Sequence, residues 1–253
     1  MTELISLSRR IVQAHGDHTL LDAPSAELVP ADADAAYAIQ HEILALRSTQ
    51  IAGWKVGAKA LSGPIQGAPL PEDGLHASGV RLPRQSYAPL GLELEIVFRF
   101  GRSFNPSRKP YADDEVLAGI ATMAAAVEIV ASRFAPWPEV DKLAQLADLQ
   151  NHGALVVGEA VPYRDAFPFV TPSLHFNYNH DPIVKDGWPS NPAGDPRRLL
   201  TWLVNHCTLG RGIALTPDMI VTTGSYTGMF FPAVAGVASG EIAGLPPVTL
   251  TLF

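Results

Sequence analysis

The segment that decides the fold is Leu92-Glu93-Leu94-Glu95-Ile96-Val97-Phe98, an apolar run typical of a buried β-strand that carries two carboxylates. Successive side chains of a strand point to opposite faces, so Glu93 and Glu95 share one face and the apolar residues between them share the other. Two like charges in an apolar setting repel each other and lose hydration. A divalent cation is the simplest group that would offset this cost.

A third carboxylate lies in a similarly apolar context. Glu128 follows Ala124-Ala125-Ala126-Val127 and precedes Ile129-Val130-Ala131. Three carboxylates of this kind offer the oxygen ligands that hard cations prefer. For a bare E-x-E pattern a half-exposed strand is the more common explanation, so the metal hypothesis depends on the residues that accompany Glu93 and Glu95.

The bulk properties exclude several classes of protein. The 253 residues can bury a sizeable core, and the net charge of −7 gives no electrostatic basis for nucleic-acid binding. Cys207 is the single cysteine, which rules out an internal disulfide and fits a reducing compartment. The first residues lack the apolar core of a signal peptide, and no apolar run approaches the roughly 18 residues that span a bilayer. We therefore expect a soluble, cytoplasmic protein without a nucleic-acid or membrane partner.

The periodicity of apolar residues predicts two N-terminal helices followed by many short strands. The helices are expected over residues 2–15 and, with Asp32 or Asp34 as N-cap, up to about residue 48. Residues 58–90 are rich in Gly and Pro and predict ordered loops and short strands. The remaining expectations are a strand at 51–57, a helix from 113 to about 124 that leads into a strand around Glu128, a short helix at 141–149, strands at 154–157 and 174–178, a turn at 179–182, a helix at 197–207 after the capping pair Asp195-Pro196, and strands at 220–223 and 248–252.

This order of elements predicts an α+β protein whose core is a closed or rolled sheet. Residues 1–50 would form a helical segment, and residues 51–253 would form the sheet-rich core, as parts of one structural unit.

Six short motifs then occur in a fixed order along the chain. They are Ala36-Tyr37-Ala38-Ile39-Gln40, Gly53-Trp54-Lys55-Val56-Gly57, Glu93-Leu94-Glu95, Val127-Glu128-Ile129-Val130-Ala131-Ser132-Arg133, Gly153-Ala154-Leu155-Val156-Val157-Gly158 and Thr223-Gly224-Ser225. The series resembles the 2-keto-4-pentenoate hydratase branch of the fumarylacetoacetate hydrolase superfamily, which includes 4-oxalocrotonate decarboxylase. The resemblance extends from about residue 33 to the C-terminus and is specific to the superfamily, not to one substrate.

The resemblance implies a fumarylacetoacetate-hydrolase-like β-roll core after the N-terminal helices, and a Mg²⁺ or Mn²⁺ site. The site residues that it implies are the metal ligands Glu93, Glu95 and Glu128, the catalytic residue Lys55 and a catalytic acid at either Glu72 or Asp73. Asn151, Ser225 and Lys59 are further candidates for substrate binding in this chain. Lys55 would move a proton or hold the substrate carboxylate, and the acid would polarise a water.

Two departures from the family pattern bear on the substrate. Lys59 stands where many relatives have Thr or Ser, and Leu149 follows Asp148 where relatives often have Asn. These differences leave the three carboxylates in place, so they affect the expected substrate rather than the expected cation.

The activity implied first is that of a metal-dependent lyase, a hydratase that adds water to a 2-hydroxy-2,4-dienoate and gives a 4-hydroxy-2-oxo acid. A 2-oxo acid can chelate a hard cation, which stabilises the negative charge of the enolate that forms. The first alternative is decarboxylation of a 2-oxo-3-enedioate, whose second carboxylate would meet Lys59, Arg81, Arg84 or Arg133.

Two further alternatives stay open. An acylpyruvate-type C–C hydrolase would need a general base, for which relatives use a His-Glu pair, but His41-Glu42 falls in the second predicted helix. The chain could also be a non-catalytic subunit that binds a small oxo acid within a hydratase–decarboxylase complex. By resemblance we expect a homo-oligomer.

Overall fold

The chain begins with a pair of helices and continues as a long series of strands. We describe a computed structural model, which covers residues 2–184 and 189–253. Within that part of the chain the helices are α1 (Thr2–Asp17), α2 (Ala33–Arg47), α3 (Asp113–Leu117), α4 (Lys142–Ala147) and α5 (Arg197–Asn205). The strands there are β1 (Ile51–Ala58), β2 (Ile65–Pro71), β3 (Leu75–Ala77), β4 (Val80–Leu82), β5 (Gly91–Phe100), β6 (Ile120–Val130), β7 (His152–Val157), β8 (Val161–Pro162), β9 (Leu174–Tyr178), β10 (Asp181–Pro182), β11 (Ile220–Ser225), β12 (Gly236–Ile242) and β13 (Val248–Leu252).

These strands form two sheets. The larger sheet has the order β2-β1-β11-β5-β6-β7-β3, with β8 paired to β6, and the smaller has the order β10-β9-β12-β13-β4. In the larger sheet β1 pairs with β11 and β3 with β7 in parallel, whereas β5 and β6 form a long antiparallel pair. The predicted α+β architecture is therefore confirmed, and β5 lies at the centre of its sheet.

The alternation predicted for β5 is also confirmed. Leu92, Leu94 and Ile96 are fully buried in the main hydrophobic core, together with residues of the smaller sheet such as Phe176 and Val248. Burial of each such side chain contributes about 1.5–3 kcal/mol. Because these side chains must face the smaller sheet, the glutamates of the same strand face the opposite side.

The N-terminal helices share a second core with α4. Leu7, Ile39 and Leu146 belong to this core and are almost completely buried. The Asp32 side chain accepts a hydrogen bond from the Ala35 N–H at 2.8 Å and caps α2, as one of the two predicted caps. The boundary near residue 50 stays a prediction, since the helices and the sheet-rich part contact each other through this core.

The prediction for residues 113–124 was wrong in its second half, because α3 ends at Leu117 and β6 already begins at Ile120. Alanine favours helices, so the run Ala124-Ala125-Ala126 suggested a longer helix. These alanines are instead buried in a strand that pairs with β5 on one side and β7 on the other. Pairing with neighbouring strands thus overrides the local helix propensity. The same pairing explains β12, a strand that the sequence pattern did not predict.

Within the described residues, no helix combines the length and the apolarity that crossing a bilayer requires.

The close pairing of β1 with β11 depends on Gly53. A Cβ at this position would lie 2.3 Å from the Ile220 carbonyl oxygen, whereas a Cβ at Gly57 in the same strand would meet nothing within 4 Å. We expect Gly53→Ala to lower the free energy of unfolding by about 2 kcal/mol through overpacking, and Gly57→Ala to change it by less than about 1 kcal/mol. Urea denaturation of the two variants tests this, and equal stabilities would contradict it.

Candidate functional site

Three glutamates converge on one face of the larger sheet. The antiparallel register sets Glu93 directly opposite Glu128, and Glu95 follows two residues along the same face. One carboxylate oxygen from each residue lies within 4.8 Å of the others. Glu95 and Glu128 are each 1% exposed. An all-carboxylate set this close fits a hard divalent cation, whose charge would compensate the buried negative charges.

Glu95 is held by the neighbouring strand β11. Its Oε2 accepts hydrogen bonds from the Thr222 hydroxyl and from the Gly224 N–H, the latter at 3.0 Å. Gly224 has a φ of +90°, which side chains other than glycine rarely adopt. The backbone conformation of β11 therefore depends on glycine at the point where its N–H reaches the carboxylate.

Glu128 is held by residues from both sides of the curled sheet. Its Oε1 receives a hydrogen bond from Lys55 Nζ and lies 3.3 Å from His152 Nδ1. Lys55 is on β1, which β11 and β5 separate from β6. The contact between Lys55 and Glu128 exists only because the sheet curls and brings these strands toward one another.

The three carboxylates differ in their affinity for protons. Burial, together with the Glu128 charge, raises the pKa of Glu93 to about 7. Burial and both neighbouring carboxylates raise the pKa of Glu95 well above its usual value. Burial acts on Glu128 in the same direction, but the Lys55 ammonium and His152 outweigh it and hold the pKa of Glu128 below its usual value. Glu128 is thus ionised at neutral pH.

A strained turn forms one wall of the site. Leu149, Gln150 and Asn151 have φ values of 46°, 53° and 58°, in the left-handed region, at a cost of about 1–2 kcal/mol for each residue. The Gln150 carbonyl accepts a hydrogen bond from Lys55 Nζ at 3.1 Å. Left-handed residues of this kind are concentrated at functional sites.

Arg133 holds this turn from both ends. It donates to the carbonyl oxygens of Asp148 and His152, each at 2.7 Å, and its Nε donates to the Asp148 carboxylate. Arg133 and Asp148 are both buried. Arg133 therefore holds the turn in place, and it does not line the cavity described next.

A cavity of about 520 Å³ opens over the carboxylates. Its lining includes the three glutamates and the four predicted residues Lys55, Lys59, Asn151 and Ser225, as well as Lys142, Gln145, Gln150, Trp137 and Met229. Gln150 Oε1 and Asn151 Oδ1 are buried and accept no hydrogen bond from the described residues. These two oxygens can accept hydrogen bonds from a ligand or a water in the cavity.

The two predicted catalytic acids are not brought to this cavity. Neither Glu72 nor Asp73 is among its described lining residues. Asp73 is 57% exposed at its side chain and pairs with Arg47 of α2 at 2.6 Å. The turn that carries both acids follows β2 directly, and Gly74 at its end packs against the His152 ring.

Sequence analysis missed several residues that shape the site. Thr222 immediately precedes the Thr223-Gly224-Ser225 motif, and His152 follows Asn151, but neither residue has a distinctive pattern around it. Lys142 lies in the predicted helix at 141–149, where a lysine is usually a surface residue. The strand register and the fold of the turn bring Thr222 and His152 to the glutamates, and Lys142 lines the cavity.

The fold is shared with known structures. It matches 4-oxalocrotonate decarboxylase from Pseudomonas putida G7, complexed with magnesium and adipate, with a TM-score of 0.86 and 16% identity, over 100% of this chain and 98% of that chain. The same decarboxylase complexed with calcium and acetate matches with a TM-score of 0.85 and 17% identity over the same shares of the chains.

A more distant match is 2-hydroxyhepta-2,4-diene-1,7-dioate isomerase from Mycobacterium marinum, with a TM-score of 0.58 and 16% identity over 81% of this chain and 76% of that chain. No protein-family model matches the sequence, and no curated protein sequence does. At these identities the structures establish the fold, and the fold expected from the fumarylacetoacetate hydrolase resemblance is confirmed.

The raised pKa of Glu93 predicts how stability depends on pH in cation-free protein. Because folding raises this pKa from 4.5 to about 7, the unfolded state ionises first, and the folded state loses stability as pH rises through that window. In EDTA, the free energy of unfolding of the wild type should therefore fall relative to that of Glu93→Gln between about pH 5 and about pH 8. A pH-independent difference between the two proteins would contradict this.

The strained turn predicts an unusual response to glycine. At Gln150, with a φ of 53°, glycine relieves the left-handed strain and alanine does not. We expect Gln150→Gly to have a free energy of unfolding about 1 kcal/mol higher than Gln150→Ala. Chemical denaturation of this matched pair checks the value, since both variants lose the same amide side chain.

Proposed function

We propose that this protein, which has the fold of 4-oxalocrotonate decarboxylase, is a divalent-cation-dependent lyase that removes CO₂ from an unsaturated 2-oxo dicarboxylic acid. The observation that carries the proposal is the distribution of charge in the cavity. Three carboxylates and Lys55 line it beneath two exposed lysines, Lys59 and Lys142. This arrangement suits a substrate with a 2-oxo acid group at one end and a second carboxylate at the other.

Glu93, Glu95 and Glu128 would hold the cation. A Mg²⁺ or Mn²⁺ ion there would supply Lewis-acid stabilisation for negative charge that develops on the ketone oxygen of a 2-oxo acid. The structural relative with magnesium and adipate supports this assignment, since adipate is itself a six-carbon dicarboxylate.

Lys55 is the residue we assign to proton transfer. Its ammonium group is fixed between Glu128 and the Gln150 carbonyl, and its side chain is 12% exposed. Loss of CO₂ from a 2-oxo-3-enedioate leaves a 2-hydroxydienoate, whose enol oxygen needs one proton. Lys55 Nζ can donate that proton from within the cavity.

Lys59 and Lys142 would attract the second carboxylate. Both side chains are exposed and line the cavity, and neither forms an ion pair with another residue in the described part of the chain. Lys142 Nζ donates to the carbonyl of Pro138, another residue of the cavity lining, at 3.1 Å. Of the four basic residues expected to meet a second carboxylate, Lys59 is the one that lines the cavity.

Hydration of a 2-hydroxy-2,4-dienoate, the activity implied first by the sequence, is the second candidate. It is favoured by the buried, unpaired acceptors Gln150 Oε1 and Asn151 Oδ1, which could orient a water. It is less well supported because neither Glu72 nor Asp73, the residues expected to polarise that water, is among the described residues around the cavity.

A hydrolase is not favoured, since His41 lies on α2 and is also not among the described lining residues. Homo-oligomer formation and assembly into a hydratase–decarboxylase complex stay predictions.

The first experiment separates these candidates. The protein is incubated with Mg²⁺ and either 2-oxohex-3-enedioate or 2-hydroxypenta-2,4-dienoate, and the products are identified by NMR and by CO₂ release. CO₂ from the diacid supports the decarboxylase, and 4-hydroxy-2-oxopentanoate from the dienoate supports the hydratase. Cation binding without turnover of either substrate would support a non-catalytic, oxo-acid-binding subunit and overturn both enzyme candidates.

On the favoured substrate, we expect Lys55→Met to lower kcat by about 10²–10⁴-fold, because the variant loses the proton donor and keeps the length of the side chain. Lys109→Met is the control, since Lys109 is an exposed lysine that does not belong to the described cavity lining. Activity in Lys55→Met equal to that of Lys109→Met would remove Lys55 from the mechanism.

The exposed lysines predict a selective effect on binding of the diacid. In the double variant Lys59→Met/Lys142→Met, KM for 2-oxohex-3-enedioate should rise about 5-fold, with kcat nearly unchanged, because exposed charge pairs contribute about 0.2–1 kcal/mol each. Added salt should raise the wild-type KM in the same direction. An unchanged KM in the double variant would argue against a second substrate carboxylate at this opening.

A further inference from the structure

Each of the two buried glutamates of the candidate cation site already uses one oxygen for the protein. Glu95 Oε2 accepts from the Thr222 hydroxyl and from the Gly224 N–H. Glu128 Oε1 is engaged by Lys55 Nζ and lies 3.3 Å from His152 Nδ1. In both residues the other oxygen, Glu95 Oε1 and Glu128 Oε2, is the one left for a cation.

The donors that engage these oxygens all belong to strands of the larger sheet. Thr222 and Gly224 belong to β11, and His152 begins β7, so all three are set by the sheet. Thr222 is completely buried and His152 is 2% exposed. His152 Nδ1 lies 3.3 Å from Glu128 Oε1, a distance at which an Nδ1–H group donates a hydrogen bond to this oxygen. Neither carboxylate can rotate to offer both oxygens without losing these partners.

Carboxylates restricted to one oxygen favour a small cation. Mg²⁺ takes six ligands at about 2.0–2.1 Å and is usually bound through single carboxylate oxygens and waters, whereas Ca²⁺ takes six to eight ligands and often a bidentate carboxylate. We propose that Thr222 and His152 are positioning residues that hold Glu95 and Glu128 as one-oxygen ligands and so make the site select Mg²⁺ over Ca²⁺. This inference depends on the proposed function, because it assumes that the glutamates bind a cation.

The experiment is titration calorimetry of MgCl₂ and CaCl₂ into EDTA-treated, dialysed protein, and it requires no substrate. For the wild type we expect a lower Kd for Mg²⁺ than for Ca²⁺. Thr222→Val keeps the shape of the buried side chain and removes the hydroxyl, and it should reduce the ratio of the Ca²⁺ Kd to the Mg²⁺ Kd by about 10-fold. Thr222→Ser retains a hydroxyl and should preserve the wild-type ratio.

Thr223→Val is the matched control. Thr223 is equally buried, but its hydroxyl donates to the Ile96 carbonyl at 3.1 Å and not to a glutamate. This variant loses one buried hydroxyl from the same strand and should keep the wild-type ratio. His152→Leu should lower the ratio as Thr222→Val does, and His152→Asn, which restores a donor, should recover part of it. The His152 pair tests the proposal independently if Thr222→Val does not fold.

The outcomes separate this inference from the proposed function. If the wild type binds neither cation, the proposed function and this inference both fail. If the wild type prefers Ca²⁺, or if Thr222→Val and His152→Leu change the ratio no more than Thr223→Val does, the positioning roles are overturned and the cation-dependent function stands. A reduced ratio in Thr222→Val and His152→Leu, with Thr222→Ser and Thr223→Val unchanged, supports the proposal.

Discussion

The burial of three like charges on one face of a sheet is the constraint on which the site depends. Glu93, Glu95 and Glu128 face one another because β5 and β6 pair in a register that is set by the apolar side chains on the opposite face. A shift of one residue would turn every glutamate into the main core and every leucine into the cavity. The hydrophobic core therefore fixes the geometry of the carboxylates.

The charge balance of the site comes from the curvature of the sheet. In a flat sheet, two intervening strands would separate Lys55 from Glu128 by far more than the length of a lysine side chain. Curling brings the ammonium group to the carboxylate and leaves Glu93 and Glu95 without an equivalent positive partner among the described residues. One paired and two unpaired carboxylates form a site with a residual negative charge, which suits a divalent cation.

The left-handed turn at residues 149–151 is unfavourable on its own and is retained by the buried pair Arg133 and Asp148. Arg133 binds the carbonyl oxygens of Asp148 and His152 at the two ends of the turn, and the turn supplies the Gln150 carbonyl to Lys55. Strain at a site that is over-determined by its surroundings is a common feature of binding and catalytic centres.

The sequence by itself determined the alternation of β5 and limited the cap of α2 to Asp32 or Asp34, because these follow from local periodicity and capping chemistry. It also offered Glu93, Glu95 and Glu128 as candidate cation ligands from their chemistry. Only the tertiary structure decided that the strand carrying Glu128 begins at Ile120, that Glu72 and Asp73 lie outside the described cavity lining, and that Thr222 and His152 hold the glutamates. Local preferences act over a few residues, whereas these contacts join segments up to 127 residues apart, and the pairing and curvature of the sheet alone bring such segments together.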